Sequence, residues 1–175
     1  AKAATLMILA LPGSTYIYQG EELGLPDVLD IPSDQMQDPQ WFRGEGKLKS
    51  RDGCRVPLPW EKQGSSFGFG SGGSHLPQPS WYGDYSVEVQ DQDDNSTLNL
   101  YRRAINLRKE LEVPEELKWL ESPAGTLAFE RPGNWICFVN FGTESQVLPQ
   151  GKLLIASAPI ENGKLPGNST AWLIR

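Results

Sequence analysis

Two cysteines and one histidine are all the thiol and imidazole this chain of 175 residues contains. Cys54 and Cys137 lie far apart, in stretches that read as different domains, so no disulfide framework is implied. Free thiols of this kind suit a reducing compartment, and a cytoplasmic location is predicted. His75 stands alone in a Gly/Ser/Pro tract and cannot supply a multi-histidine metal site, so no metal is predicted. Long apolar runs are also missing. None approaches the ~18 residues a membrane-spanning helix needs, and the apolar residues from Leu6 to Leu11 have no basic leader, so no signal peptide is read. Positive charge is in short supply too: 16 Lys and Arg face 22 Asp and Glu, giving a net charge of -6. Nucleic-acid binding, with its basic footprint, is thereby disfavoured. A neutral ligand such as a sugar remains compatible.

What is present is a modest core with much loop. Hydrophobic residues make up 38%, while 18 glycines and 14 prolines break the chain repeatedly. Ala3 to Leu11 predicts a short, largely buried helix, ended by Pro12-Gly13. Tyr16-Ile17-Tyr18-Gln19 predicts a short parallel strand, with Gly20 allowing a turn. From Glu21 to about Asp94 there is little periodicity, and a loop so long is usually functional. Within it, residues 64–74 read as a flexible linker, although Phe67, Phe69, Trp81 and Tyr82 argue that part of the region docks. Ser96 to Glu112 is the clearest helix. Leu100, Ala104, Leu107 and Leu111 share one face, Arg102, Arg103, Arg108 and Lys109 take the wet side, and Asp94, Asn95 and Ser96 offer caps.

After this helix the pattern changes to short strands. They are predicted at Thr126–Arg131, Trp135–Phe141, Gln146–Leu148, Leu153–Ser157 and Ala171–Ile174. Arg131-Pro132-Gly133-Asn134 is a hairpin signal. A domain boundary is expected near Val113–Glu115, with a small antiparallel β-sandwich or barrel beyond it. Trp135 and Trp172 are expected in its core, and Trp41, Trp60 and Trp81 in loops near a pocket.

Two groups of residues offer chemistry. Glu21 and Glu22 follow the expected strand, but adjacent carboxylates tend to diverge and cannot easily flank one bond, so neither is nominated as catalytic. Arg51-Asp52-Gly53-Cys54-Arg55 is followed by the stiffening Pro57, Pro59 and Trp60. Its guanidiniums suit sugar hydroxyls as well as carboxylates, and Asp52 could accept from a hydroxyl or fix an arginine. On chemistry alone the loop is either a structural ion-pair corner or a binding site. The acidic run Asp91-Gln92-Asp93-Asp94 lacks the spacing of a calcium loop and reads as a helix start. Nothing resembles the strand-turn-helix elbow that would present a nucleophilic serine.

The stretches Gly13 to Gly24, Gln37-Asp38-Pro39-Gln40-Trp41-Phe42-Arg43 and Ser50-Arg51-Asp52-Gly53-Cys54-Arg55-Val56-Pro57-Leu58-Pro59-Trp60 resemble the α-amylase superfamily (glycoside hydrolase family 13). The branch they resemble most is that of α-glucosidases and oligo-1,6-glucosidases. The helix at 96–112 and the tail Ala171-Trp172-Leu173-Ile174-Arg175 fit the same resemblance. It implies the last β/α unit of a TIM (β/α)8 barrel followed by an all-β C-terminal sandwich. Residues 1–114 would close the catalytic barrel, with a substrate loop at 20–94, and residues 115–175 would form the sandwich.

The same resemblance implies a retaining α-glucosidase acting from the non-reducing end of oligosaccharides, without a cofactor. Its catalytic carboxylates are expected upstream, so the chain by itself is expected to be inactive. Arg51 is implied in the pocket that receives the terminal glucose, with Asp52 and Arg55 matching the motif beside it. Val56 and Leu58 depart from the threonine and methionine of many relatives, which touches substrate preference. The implied partner is an α-linked gluco-oligosaccharide or disaccharide, with no nucleic acid and no membrane. Without its barrel neighbours the front part of the chain is expected to be disordered, to self-associate or to rearrange onto another copy. The rival is a non-catalytic carbohydrate-binding or structural relative; a purely structural one would have no need of a pocket arginine.

Overall fold

The computed structural model describes residues 1–111 and 114–175. By contacts the chain divides into two compact units, Ile17–Asn99 and a second one built from Ala1–Tyr16 together with Leu100–Arg175. The boundary expected near Val113–Glu115 falls partly outside the described residues. Compactness in space follows another division, because the N-terminal helix joins the C-terminal sheet.

In the discontinuous unit, α1 (Lys2–Ala10) forms over the predicted apolar run and buries Leu6, Leu9 and Ala10. The helix α4 (Thr97–Leu111) carries its apolar stripe into the same core through Leu100 and Ala104. Among the described residues seven strands follow: β1 (Lys118–Leu120), β2 (Thr126–Arg131), β3 (Trp135–Asn140), β4 (Gln146–Val147), β5 (Lys152–Ala156), β6 (Lys164–Leu165) and β7 (Ser169–Ile174). Five of them make one antiparallel sheet in the order β1-β2-β3-β7-β5, while β4 pairs with β6. The β2–β3 hairpin turns at the expected place, with Gly133 and Asn134 both at positive φ.

Every residue of β3 is buried, so both faces of this strand are covered. Alternation sorts them. Phe129, Trp135, Cys137, Val139, Ile155 and Trp172 face one way and join α1 and α4 in a single apolar cluster. Ala128, Phe138, Ala171 and Leu173 face the other way and pack with Leu165 of β6.

Two arginines tie α1 to this unit. Arg108, expected on the wet side of its helix, instead donates to the carbonyls of Leu9, of Leu11 at 2.8 Å and of Gly13 at 2.6 Å. Buried Arg131 donates to Ala10 O at 2.7 Å and Pro114 O at 3.0 Å. These contacts satisfy carbonyls at and just beyond the open end of the helix, where positive charge also suits the dipole. Burial pushes the Arg131 pKa down, as does Arg108 beside it.

The unit Ile17–Asn99 contains no strand and yet has a core of its own. Val28, Ile31, Val56, Leu76 and Tyr82 are buried together. Around them run short helical turns and two short helices, α2 (Pro39–Arg43) and α3 (Val87–Asp91). The long loop expected over 20–94 is therefore a packed unit without sheet. The supposed linker docks: Trp60 and Glu61 donate their N–H groups to Phe67 O, and the Phe67 ring lies against Tyr82. Buried Gln90 fixes the start of α4, accepting the Leu98 N–H at 3.0 Å and donating to Leu23 O at 2.8 Å. Tyr16–Gln19, predicted as a strand, is irregular, with Tyr16 almost fully exposed. Its aromatic and β-branched residues favour a strand, but a strand also needs a neighbour to pair with.

Candidate functional site

Arg51, Asp52 and Arg55 do come together, in and around a single helical turn at Asp52–Cys54. They are not equivalent. Asp52 is buried, and its Oδ2 accepts from Gln37 N at 2.8 Å, Asp38 N at 2.9 Å and Ser50 Oγ at 2.8 Å. Burial opposes the charge on this carboxylate. The N–H groups of Asp38 and Gln37 and the Ser50 hydroxyl outweigh it and hold its pKa below the ordinary value. A carboxylate so occupied serves the loop. Asp52 does not fix an arginine, since both guanidiniums face Asp38; its carboxylate holds backbone N–H groups and the Ser50 hydroxyl instead.

The guanidinium of Arg51 is held by a residue that sequence reasoning did not single out. Asp38 is 1% exposed, and its Oδ2 accepts the Arg51 backbone N–H at 2.8 Å and the Arg51 Nε–H at 3.4 Å. The same oxygen lies 3.7 Å from an Nη of Arg55. Its other oxygen accepts the Gln40 N–H at 3.0 Å and so caps α2. The cap hydrogen bond from Gln40, then the bond from the Arg51 backbone, bring the Asp38 pKa down to about 2. One local signal could have revealed this residue. An aspartate directly before a proline is the signature of an N-cap followed by Pro at the first helical position.

Arg51 itself keeps 63% of its side chain exposed, against 36% for Arg55. With Asp38, Pro39, Gln40, Arg43 and Leu48 it lines a depression of about 350 Å³. Cys54 closes the back of the loop by donating its S–H to Arg51 O at 3.1 Å, and its sulfur lies 3.7 Å from the Tyr18 hydroxyl. This contact pushes the Tyr18 pKa up. Gly53 is required by a close approach, since a Cβ there would stand 2.4 Å from the carbonyl oxygen of Val28.

The acidic pair separates as expected of adjacent residues. Glu22 turns back to accept the Gly20 N–H at 2.8 Å, while Glu21 is exposed. Trp81 is engaged with Tyr82 and Tyr85, and Trp60 stays half exposed. Trp135 and Trp172 lie in the core. Among the described residues no group of three or more His, Cys, Asp or Glu side chains is placed to hold a metal, and no helix is long and apolar enough to cross a membrane.

Residues 1–116 match the family described as "Alpha amylase, catalytic domain". A probable alpha-glucosidase of Rhizobium meliloti is 33% identical over 160 residues, an alignment covering 87% of this chain and 29% of the relative. An oligo-1,6-glucosidase of Parageobacillus thermoglucosidasius is 29% identical over 65% of this chain and 23% of its own length. Among solved structures, the alpha-glucosyl transfer enzyme XgtA superposes with a TM-score of 0.77 at 26% identity, over 98% of this chain and 35% of that one. The trehalulose synthase MutB of Pseudomonas mesoacidophila MX-45 shares the fold at a TM-score of 0.78 and 22% identity, over 98% and 37% of the two chains. The chain thus spans less than a third of the length of these curated relatives.

Proposed function

Since the chain belongs to the alpha-amylase catalytic-domain family, we propose that it forms part of a retaining α-glucosidase that acts on the non-reducing end of α-linked gluco-oligosaccharides or disaccharides. One observation carries this reading. An exposed Arg51 guanidinium borders a depression and is held from beneath by a buried carboxylate. With its Nε engaged by Asp38, Arg51 keeps most of its side chain exposed, and a guanidinium fork suits vicinal hydroxyls.

In this reading Arg51 binds the terminal glucose, Arg55 supports the pocket wall, and Asp52 holds the loop that carries them. α4 is the closing helix of a (β/α)8 barrel, and the strands beyond it form the C-terminal sandwich. The nucleophile and the acid, about 5–5.5 Å apart in a retaining enzyme, belong to parts of the enzyme other than this chain, which alone has no glucosidase activity. The names and lengths of the relatives support this division of labour.

The test is hydrolysis of p-nitrophenyl α-glucoside by the full-length enzyme, with the released sugar followed by NMR. Glucose appearing first as the α-anomer is expected. Absence of turnover on any α-glucoside, or release of the β-anomer first, would overturn the reading.

A further inference from the structure

We propose that Asp38 is a positioning residue for the arginines, presetting the Arg51 guanidinium in the orientation that meets a glucoside. The inference rests on the pocket reading of Arg51 given above. Its basis is the number of ways this carboxylate is held. Its backbone N–H is taken by Asp52, one oxygen is taken by Gln40 N, and the other faces both Arg51 and Arg55. A carboxylate fixed at this many points is a rigid anchor, and what it anchors is the root of the Arg51 fork. Arginine is long and has many rotamers, so an exposed guanidinium without such an anchor would have to be ordered by each arriving ligand.

Arg43 provides the contrast. It lines the same depression, is exposed, and makes no ion pair among the described residues. Asp38 could instead matter only as the cap of α2. The two roles separate by substitution, because serine and asparagine both cap helices well and neither carries a charge.

Two variants of the full-length enzyme, Asp38→Asn and Asp38→Ser, therefore decide between the roles. If Asp38 positions Arg51, both variants lose about ten- to a hundredfold in kcat/KM, the scale of a displaced binding group. Asp38→Glu recovers part of the loss. If Asp38 is only a cap, both variants match the wild type in kcat and KM, and the proposal is overturned.

A second readout does not depend on activity. Phenylglyoxal modifies accessible guanidiniums, and mass spectrometry gives the rate at each arginine. In the wild type Arg43 should react faster than Arg51. In both variants Arg51 should accelerate severalfold, with Arg43 unchanged as the internal reference. Equal wild-type rates at Arg43 and Arg51 would overturn the proposal without any variant having to fold. If the wild type turns over no α-glucoside, the functional reading fails by itself, and the Arg51 labelling rates still decide the positioning role.

Discussion

Asp38 and Asp52 grip each other's loops. The Asp52 carboxylate accepts the Asp38 N–H at 2.9 Å, while the Asp38 carboxylate accepts the N–H of Arg51, the neighbour of Asp52, at 2.8 Å. Two segments 14 residues apart are thereby cross-tied, and neither can shift without breaking a bond to a charged group. Such bonds are stronger than neutral ones.

This cross-tie makes stability depend on acid. Asp38 titrates at about 2 in the fold, against ~3.9 when unfolded. Its ionised form therefore favours the folded state above about pH 4, and this contribution disappears as pH falls toward 2. Asp52 is shifted in the same direction and acts with the same sign. Melting temperature measured from pH 5 down to pH 2 should fall, and Asp38→Asn should flatten the fall. Parallel curves for the variant and the wild type would contradict this.

Arg51→Ala in the full-length enzyme should lower kcat/KM by roughly 2–4 kcal/mol of transition-state stabilisation, from loss of a charge-assisted contact whose partner is left unpaired. Arg51→Lys should also fail, because a point charge cannot replace the fork. Activity compared with melting temperature for both variants checks this. Normal kinetics in Arg51→Lys would mark the loop as a structural corner.

Gly53→Ala should destabilise the protein by about 1–3 kcal/mol, the usual cost of overpacking. The new methyl would press on Val28 O, and Val28 N donates to Gly53 O at 3.1 Å. Urea denaturation of the variant measures the effect, and an unchanged midpoint would show that the loop can yield.

The two thiols should react unequally. Cys137 is fully buried in β3, and burial pushes its pKa strongly up, which removes the reactive thiolate. Cys54 is partly exposed. Iodoacetamide on the native chain should modify Cys54 and leave Cys137 untouched until the protein unfolds. Mass spectrometry of the labelled peptides checks the order.

The regular elements were legible in the sequence wherever a periodic apolar pattern met a polar edge. The stripe at Leu100 and Ala104 with the cap at Ser96 predicts α4 to within a residue at its start, and Asn99 N does bond Ser96 Oγ at 3.1 Å. The end predicted at Glu112 lies outside the described residues. β2 and β3 follow from runs bounded by a Pro-Gly-Asn turn, and Trp135 and Trp172 are buried as expected. β1 and β6, three and two residues long, are too short to show a period.

Tyr16–Gln19 misled because propensity describes a residue and pairing describes its neighbours. In the candidate site, the residue types of the Arg51 loop were legible but their division of labour was not. Which aspartate is buried, and which arginine it faces, depends on bonds between loops with no periodicity of their own.

The tie between α1 and the sheet has a consequence for synthesis. Trp172 donates its indole N–H to Leu6 O across 166 residues of sequence, and Thr170 donates to Ala3 O. At a synthesis rate of about 5–20 residues per second, Leu6 is synthesised some ten to thirty seconds before Trp172. Through that interval the apolar face of α1 lacks β7, while every residue from Ile17 to Asn99 is synthesised before that strand. The stretch with its own apolar cluster can thus fold during translation. The apolar face of α1 must stay protected until β7 arrives.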